Sequence, residues 1–329
     1  PHSQFFNPQD SQETKFNGQS RLSNNVQIDG VDDNHKTGLL SVLIPSAESI
    51  DSVNVTTSNF DAEFGRAGGS VTTVVMKSGT NQFKGSLFFF GNSEATQARS
   101  YFSSSTSVKP ETKYQQFGAT LGGPILKDKL FFFTDYQRTV DNLGAVRRVV
   151  IPPAEWRNGD FSSASTKIYD PATGNADGTG RTQFPGNVIP ANRISPVALA
   201  ILAQIPQPNI AGAAFGQVNY ELPSSEREKT TDAFNIKLNY NPTQSDQLSL
   251  RFSYMRPEIF VPGTFGELGG AGADFAGTGY QNTYSTALTW TRTLSQSLVM
   301  EWRAGFMKYH NEALSTGTGL DSSTEVGIP

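Results

Sequence analysis

The 329 residues carry a formal charge of −4, no cysteine, and 31 glycines, 18 prolines and 23 phenylalanines, with charged side chains making up only 17%. No cationic run exceeds the pair Arg147–Arg148, so the electrostatic footprint of a nucleic-acid binder is missing, and without cysteine there is no disulfide, thiol catalysis or thiolate metal site. No window approaches 18 consecutive apolar residues, which excludes a membrane-crossing helix, and the glycine, proline and phenylalanine content with a slightly negative mean hydropathy fits a turn-rich β protein. The chain opens at Pro1 without a charged and apolar leader, as expected if a signal has been removed or if the sequence is an internal piece of a longer protein.

Residues 1–80 read as a small, polar, mixed α/β unit. Short strand candidates are Asn25–Val31, Ile50–Val55 and Val71–Met76, and LLSVLIPSAESI between the first two has room for a short helix bounded by Pro45 and Ser46.

After residue 82 the texture changes to a repeating one. Seven strands are predicted: Phe83–Gly91, Tyr114–Gly122, Lys129–Val140, Lys229–Tyr240, Gln247–Pro257, Tyr280–Arg292 and Ser297–His310. Phe234, Ile236, Leu238 and Tyr240 alternate with Asn235, Lys237 and Asn239, and Leu248, Leu250, Phe252 and Tyr254 alternate with Ser249, Arg251 and Ser253. The last two strands repeat this, with Tyr284, Leu288 and Trp290, then Leu298, Met300, Trp302 and Phe306, against Glu301 and Arg303. Each strand therefore has one apolar and one polar face.

The connections decide what such strands build. GGPILKD, NPTQSD and TLSQ are short, whereas SEATQARSYFSSSTSVKPETK, residues 141–228 and EIFVPGTFGELGGAGADFAGTG are long, and short and long alternate. A soluble meander has no reason to receive every long loop at one end; a transmembrane barrel does, because its periplasmic turns only reverse the chain while its outer loops are free to grow. Tyr240, Trp290, Trp302, Tyr309 and Phe131–Phe133 lie toward strand ends, where amphipathic rings suit a membrane interface. Within 141–228, ISPVALAILAQI reads as a short helix with Pro196 in its first turn, so an ordered extracellular cap is expected there.

The stretch NFDAEFGRAGGSVTTVVMKSGTNQFKGSLFFF joins the two parts: clustered glycines permit repeated bending, VTTVVM forms a strand, KSGTNQ turns, and FKGSLFFF starts the large sheet. With NNVQIDGVDDN, IDSVNVTTSNFDAEFGRAGGSVTTVVMKSGTNQFKGSLFFF, QFGATLGGPILKDKLFFFTDYQ, RNGDFSS, IYDPATG and FPGNVIPANRISPVALAIL, the chain resembles the TonB-dependent receptors of Gram-negative outer membranes, in particular the Oar-like group. The resemblance implies a plug domain inside a barrel of about 22 strands. It makes residues 1–80 the C-terminal part of the plug and residues 81–329 the N-terminal part of the barrel, with an extracellular loop at 141–228. Asp29 and Gly30 match the family's plug strand-turn, and Phe64, Gly65, Gly68, Gly69, Val74 and Lys77 its last plug segment, all architectural. A coupling segment before Pro1 and about fifteen strands after Pro329 are expected, since seven strands cannot close a barrel of this width.

Catalytic patterns are not found. There is no G-x-S-x-G elbow, P-loop or strand-linked G-x-G-x-x-G, and His2, His35 and His310 are scattered. Asp29, Asp32 and Asp33 suggest a calcium loop but lack the spacing and distant glutamate, so a strand followed by an Asx-rich turn is the expectation. Asp135 with Asp141, and Glu226 with Glu228, have no acid–base spacing. Arg147 and Arg148 head the long loop and are candidates to meet an anionic ligand or lipopolysaccharide phosphate, against the alternative of a solvated surface.

The expectation is a non-enzymatic outer-membrane receptor or transporter that needs no cofactor or metal. It would move an unknown solute, inward or outward, through a plugged barrel set in outer-membrane lipid, and be energised by an inner-membrane complex through an N-terminal segment. The rival is a non-transporting adhesin or secreted β-sandwich, which would bury its strand faces against a second sheet.

Overall fold

The computed structural model of the chain describes residues 8, 15–36, 40–61, 63–65, 67–99, 101, 109–213, 216–265 and 276–328. Its architecture is mainly β, with a four-stranded and a seven-stranded sheet among the described residues.

The smaller sheet holds β1 (Asn24–Ile28), β2 (Val31–Asp32), β3 (Ile50–Thr57) and β4 (Ser70–Met76) in the order β2-β1-β4-β3. β1 and β2 form a hairpin through Asp29 and Gly30, whose φ angles of 48° and 77° are those of a two-residue turn of the primed type. β1 runs parallel to β4, and β3 antiparallel to it. The helix expected in LLSVLIPSAESI is, among the described residues, a single 3-10 turn at Ala47–Ser49. Residues 40–44 are not helical because their backbone groups find partners elsewhere: Val42 N donates to Asp33 O and Leu43 N to the Asp33 carboxylate.

The larger sheet has seven antiparallel strands in chain order: β5 (Lys84–Ser93), β6 (Lys113–Leu126), β7 (Leu130–Val149), β8 (Tyr220–Tyr240), β9 (Asp246–Val261), β10 (Gly277–Ser295) and β11 (Leu298–Ser315). All seven predicted strands are present. The strands run further than predicted, most of all on the side of the long connections, although β6 and β10 also run on toward their short turns, to Leu126 and Ser295. The expected 141–228 loop is therefore 150–219, because β7 continues to Val149 and β8 begins at Tyr220. Arg147 and Arg148 consequently sit on a strand, opposite Leu222 and Glu221. A strand of about ten residues spans the bilayer core, so β7 and β8 project well past it; out there the outward face meets water and alternation carries no signal.

Register puts the apolar residues on one face. Tyr136, Phe234, Tyr254 and Tyr284 form one cross-strand row, and Ile236, Phe252, Thr286 and Phe306 form another. Tyr136, Phe234, Tyr284, Phe252 and Phe306 of these rows are exposed, Phe306 at 64%, and Tyr254, Ile236 and Thr286 are half-buried; Leu87 on the same sheet is 88% exposed. The opposite face carries Asp135, Asn235, Lys237, Arg251, Ser253 and Ser285, all buried, and the small sheet covers it. Apolar outside and polar inside is the arrangement of a sheet whose outer solvent is lipid.

The 150–219 segment folds on itself with α1 (Ala154–Arg157) and α2 (Pro196–Gln204), the latter carrying the expected proline at its start. Arg157 ties the two, donating to Pro152 O, Leu202 O and Ile205 O at 2.9, 3.0 and 2.6 Å and also to Pro206 O.

Candidate functional site

The site is the contact between the small sheet and the inner wall of the large one. Its apolar part brings Ile28, Leu43, Val74 and Met76 against Ala233 and Met255, with Ile50 at the margin. Beside it stands Asp29. Its Oδ1 accepts from Lys237 Nζ at 2.9 Å and from Met76 N at 3.1 Å, and its Oδ2 lies 3.2 Å from Arg251 Nε. Arg251 is almost fully buried and uses its remaining donors on Ser253 Oγ (2.6 Å), Ser285 Oγ (3.1 Å) and Ile28 O (3.3 Å). Lys237 also donates to Met76 O at 2.9 Å. A second point of attachment is Val42 O, which accepts from Gln281 Nε2 (2.8 Å) and Thr283 Oγ1 (3.2 Å).

The two kinds of contact do different work. Each fully buried aliphatic side chain contributes about 1.5–3 kcal/mol. A buried ion pair contributes little net relative to an apolar one, but removing one partner costs about 3–5 kcal/mol. Apolar burial therefore holds the sheet on the wall, and the Asp29 cluster fixes the rung on which it rests.

Of the residues expected from sequence, Asp29, Gly30, Val74 and Lys77 come to this wall. Gly30 packs on Arg303 of β11, where a Cβ would lie 3.1 Å from Arg303 Cδ. Lys77 leaves β4 by donating its N to Ser49 O and its Nζ to Glu48 O, at 2.8 and 2.7 Å. Two residues on, Gly79 crosses the wall so closely that a Cβ would stand 2.2 Å from Phe132 O; the junction admits glycine alone.

Phe64, Gly65, Gly68 and Gly69 lie at the other end of the sheet. There the N–H groups of Gly68 and Gly69 both donate to Ser23 O, and Gly65 O accepts from Asn25 Nδ2.

The aspartates of IDGVDDN face different partners. Asp32 binds Asn34 and Lys36, and Asp33 accepts from Ser41 Oγ and Leu43 N, with burial pushing its carboxyl up to about 8. His35 stacks on Tyr309, centroids 5.4 Å apart, and His310 approaches Glu312. His2 lies outside the described residues. Arg147 donates to Thr264 Oγ1 at 2.8 Å, in the β9–β10 connection, and Arg148 pairs with Glu221 on β8.

The residues that sequence reading passed over are Lys237 and Arg251. Both belong to polar strand faces, and a charged side chain in mid-strand on the lumen side was the available signal.

Residues 75–329 match the outer membrane beta barrel domain family. The chain belongs to that family and is a protein of the outer membrane. Over 133 residues it is 35% identical to the TonB-dependent transporter Oar of Myxococcus xanthus, a match covering 39% of this chain and 12% of Oar, which bears out the Oar-like resemblance. The fold is similar to the siderophore receptor PirA from Acinetobacter baumannii, with a TM-score of 0.51 at 15% identity over 90% of this chain and 33% of that one. It is likewise similar to the outer membrane transporter YddB from Escherichia coli, with a TM-score of 0.52 at 11% identity over 91% and 34%. The chain thus spans an eighth of the length of Oar and a third of these structures.

Proposed function

We propose that the chain is the plug-and-first-strands portion of a TonB-dependent outer-membrane transporter. Residues 24–77 are the plug, the seven strands are its share of the barrel wall, and the 150–219 segment with its neighbouring long connections caps the outer side and meets the solute. The turns at 127–129, 241–245 and 296–297 face the periplasm. Force from an inner-membrane complex, applied through an N-terminal segment, moves the plug off the wall; no bond of the solute is made or broken.

The observation that carries this reading is the Asp29 cluster. A separate sheet is seated on the polar face of membrane-facing strands through a carboxylate left 11% exposed and two buried wall cations. A β-sandwich would bury the apolar strand faces against each other. Here those faces are bare and the polar face is covered, which disfavours the adhesin or secreted-sandwich alternative.

The test is planar-bilayer conductance of the full-length protein with and without residues 24–77. The intact protein is expected to be closed and the deleted one to conduct. Equal, low conductance in both, with the barrel shown to be inserted by its slower migration after boiling, would reject the plug assignment.

A further inference from the structure

The wall beneath the plug carries more positive charge than the plug leaves compensated when it departs. Lys237 on β8 and Arg251 on β9 are directly opposite one another in register and face inward. Both are buried, and both are held by the same plug carboxylate, Asp29, at 2.9 and 3.2 Å. Arg251 also loses the Ile28 carbonyl, and Lys237 the Met76 carbonyl, since both belong to the plug. What stays on the wall is Ser253 and Ser285, which are neutral acceptors, and Asp135 one rung away, whose Oδ2 accepts from Asn235. Glu301 is taken by Arg303.

We infer that Lys237 and Arg251 form an anion step on the transit path: once the plug leaves, a carboxylate or phosphate group of the passing solute takes the place of Asp29. The inference rests on the plug reading above and adds the chemical class of the cargo. The Arg251 fork and the Lys237 ammonium converge on the place of one carboxylate, and a guanidinium held by two serines is oriented for a planar oxyanion before it arrives. Exchange of one anion for another also spares the two cations a bare intermediate, because the incoming group restores the charge balance lost with Asp29.

The chain contains no cysteine, so a single engineered thiol reports on this place. In the full-length protein, freed of any other cysteine and expressed in cells, Ser253→Cys is labelled with two methanethiosulfonates of similar size, the anionic sulfonatoethyl and the cationic trimethylammonioethyl reagents. Each rate is divided by its rate on the unfolded protein. With the inner-membrane motor collapsed by a protonophore, neither reagent should react, since Ser253 is fully buried. With the motor running, the anionic reagent should react about tenfold faster than the cationic one, the scale on which a focused local potential biases encounter, and Arg251→Gln should abolish that preference. Ser285→Cys, on the next strand, gives the same reading if Ser253→Cys does not assemble. Equal normalised rates, or a cationic preference, in the running state overturn the anion step and leave the plug reading standing. No labelling in either state shows that the plug does not leave this wall, and overturns both.

Discussion

Arg251 Nε lies 3.2 Å from Asp29 Oδ2, which joins a turn of the small sheet directly to the wall strand β9. Asp29 stands at the tip of the β1–β2 hairpin and Arg251 near the middle of β9, so one carboxylate fixes the level at which the small sheet, the proposed plug, is seated.

Replacing Asp29 by alanine leaves two buried cations without a counter-charge. The plug should lose about 3–5 kcal/mol of docking stability, read as a lower urea midpoint for protease cleavage within residues 24–77. The barrel transition should stay where it is. Asp29→Asn, which keeps an acceptor for Met76 N, should cost less.

The β1–β2 hairpin also presses on β11. A Cβ on Gly305 would come within 2.5 Å of Val31 Cγ1 and 3.1 Å of Val31 Cβ. Gly305→Ala should therefore weaken docking by about 1–3 kcal/mol through overpacking, and Val31→Ala in the same chain should recover most of the loss. A double-mutant cycle on plug protease protection measures the coupling; additive effects would place Val31 away from Gly305.

Asp33 gives the small-sheet unit a pH dependence. Burial raises its folded-state carboxyl to about 8, whereas an unfolded aspartate titrates near 3.9. Between these values the folded plug holds a proton that the unfolded one has released. Its contribution is fully present below about pH 4 and is lost as pH rises toward 8, with a limiting slope of about 1.4 kcal/mol per pH unit. Plug urea midpoints should fall across this window in the wild type and flatten in Asp33→Asn.

In the 150–219 segment, Arg157 donates to carbonyls at the start of the segment and at the end of α2. Arg157→Ala should open residues 150–219 to protease without affecting barrel migration on gels. Arg157→Lys should rescue little, because a single ammonium cannot reproduce the forked set of bonds.

On the lipid side, Leu250 is exposed in the midst of its strand. Leu250→Arg should destabilise the inserted barrel by about 2–4 kcal/mol, the range for a cation at the bilayer midplane. Chemical unfolding in detergent-free lipid vesicles measures it; an unchanged midpoint would place Leu250 out of the hydrocarbon.

The sequence alone determined the seven strands, their apolar and polar faces, and the alternation of short turns with long loops, because a period of two and the position of turn residues are local properties. The Asp29–Gly30 turn came from the family resemblance alone: the residue pattern reads Asn25–Val31 as one strand, and the structure breaks it into β1 and β2 at a pair tolerant of positive φ. Only the tertiary structure decided how far the strands run beyond the membrane. At residues 141–149 and 220–228 the pairing between strands continues, while the sequence there lacks the strict alternation of apolar and polar residues that would announce it. Only the tertiary structure, too, decided what covers the polar face. Lys237 is 208 residues from Asp29. A strand pattern states which way a cation points and says nothing of the distant carboxylate it meets, because that pairing is fixed by how two sheets pack.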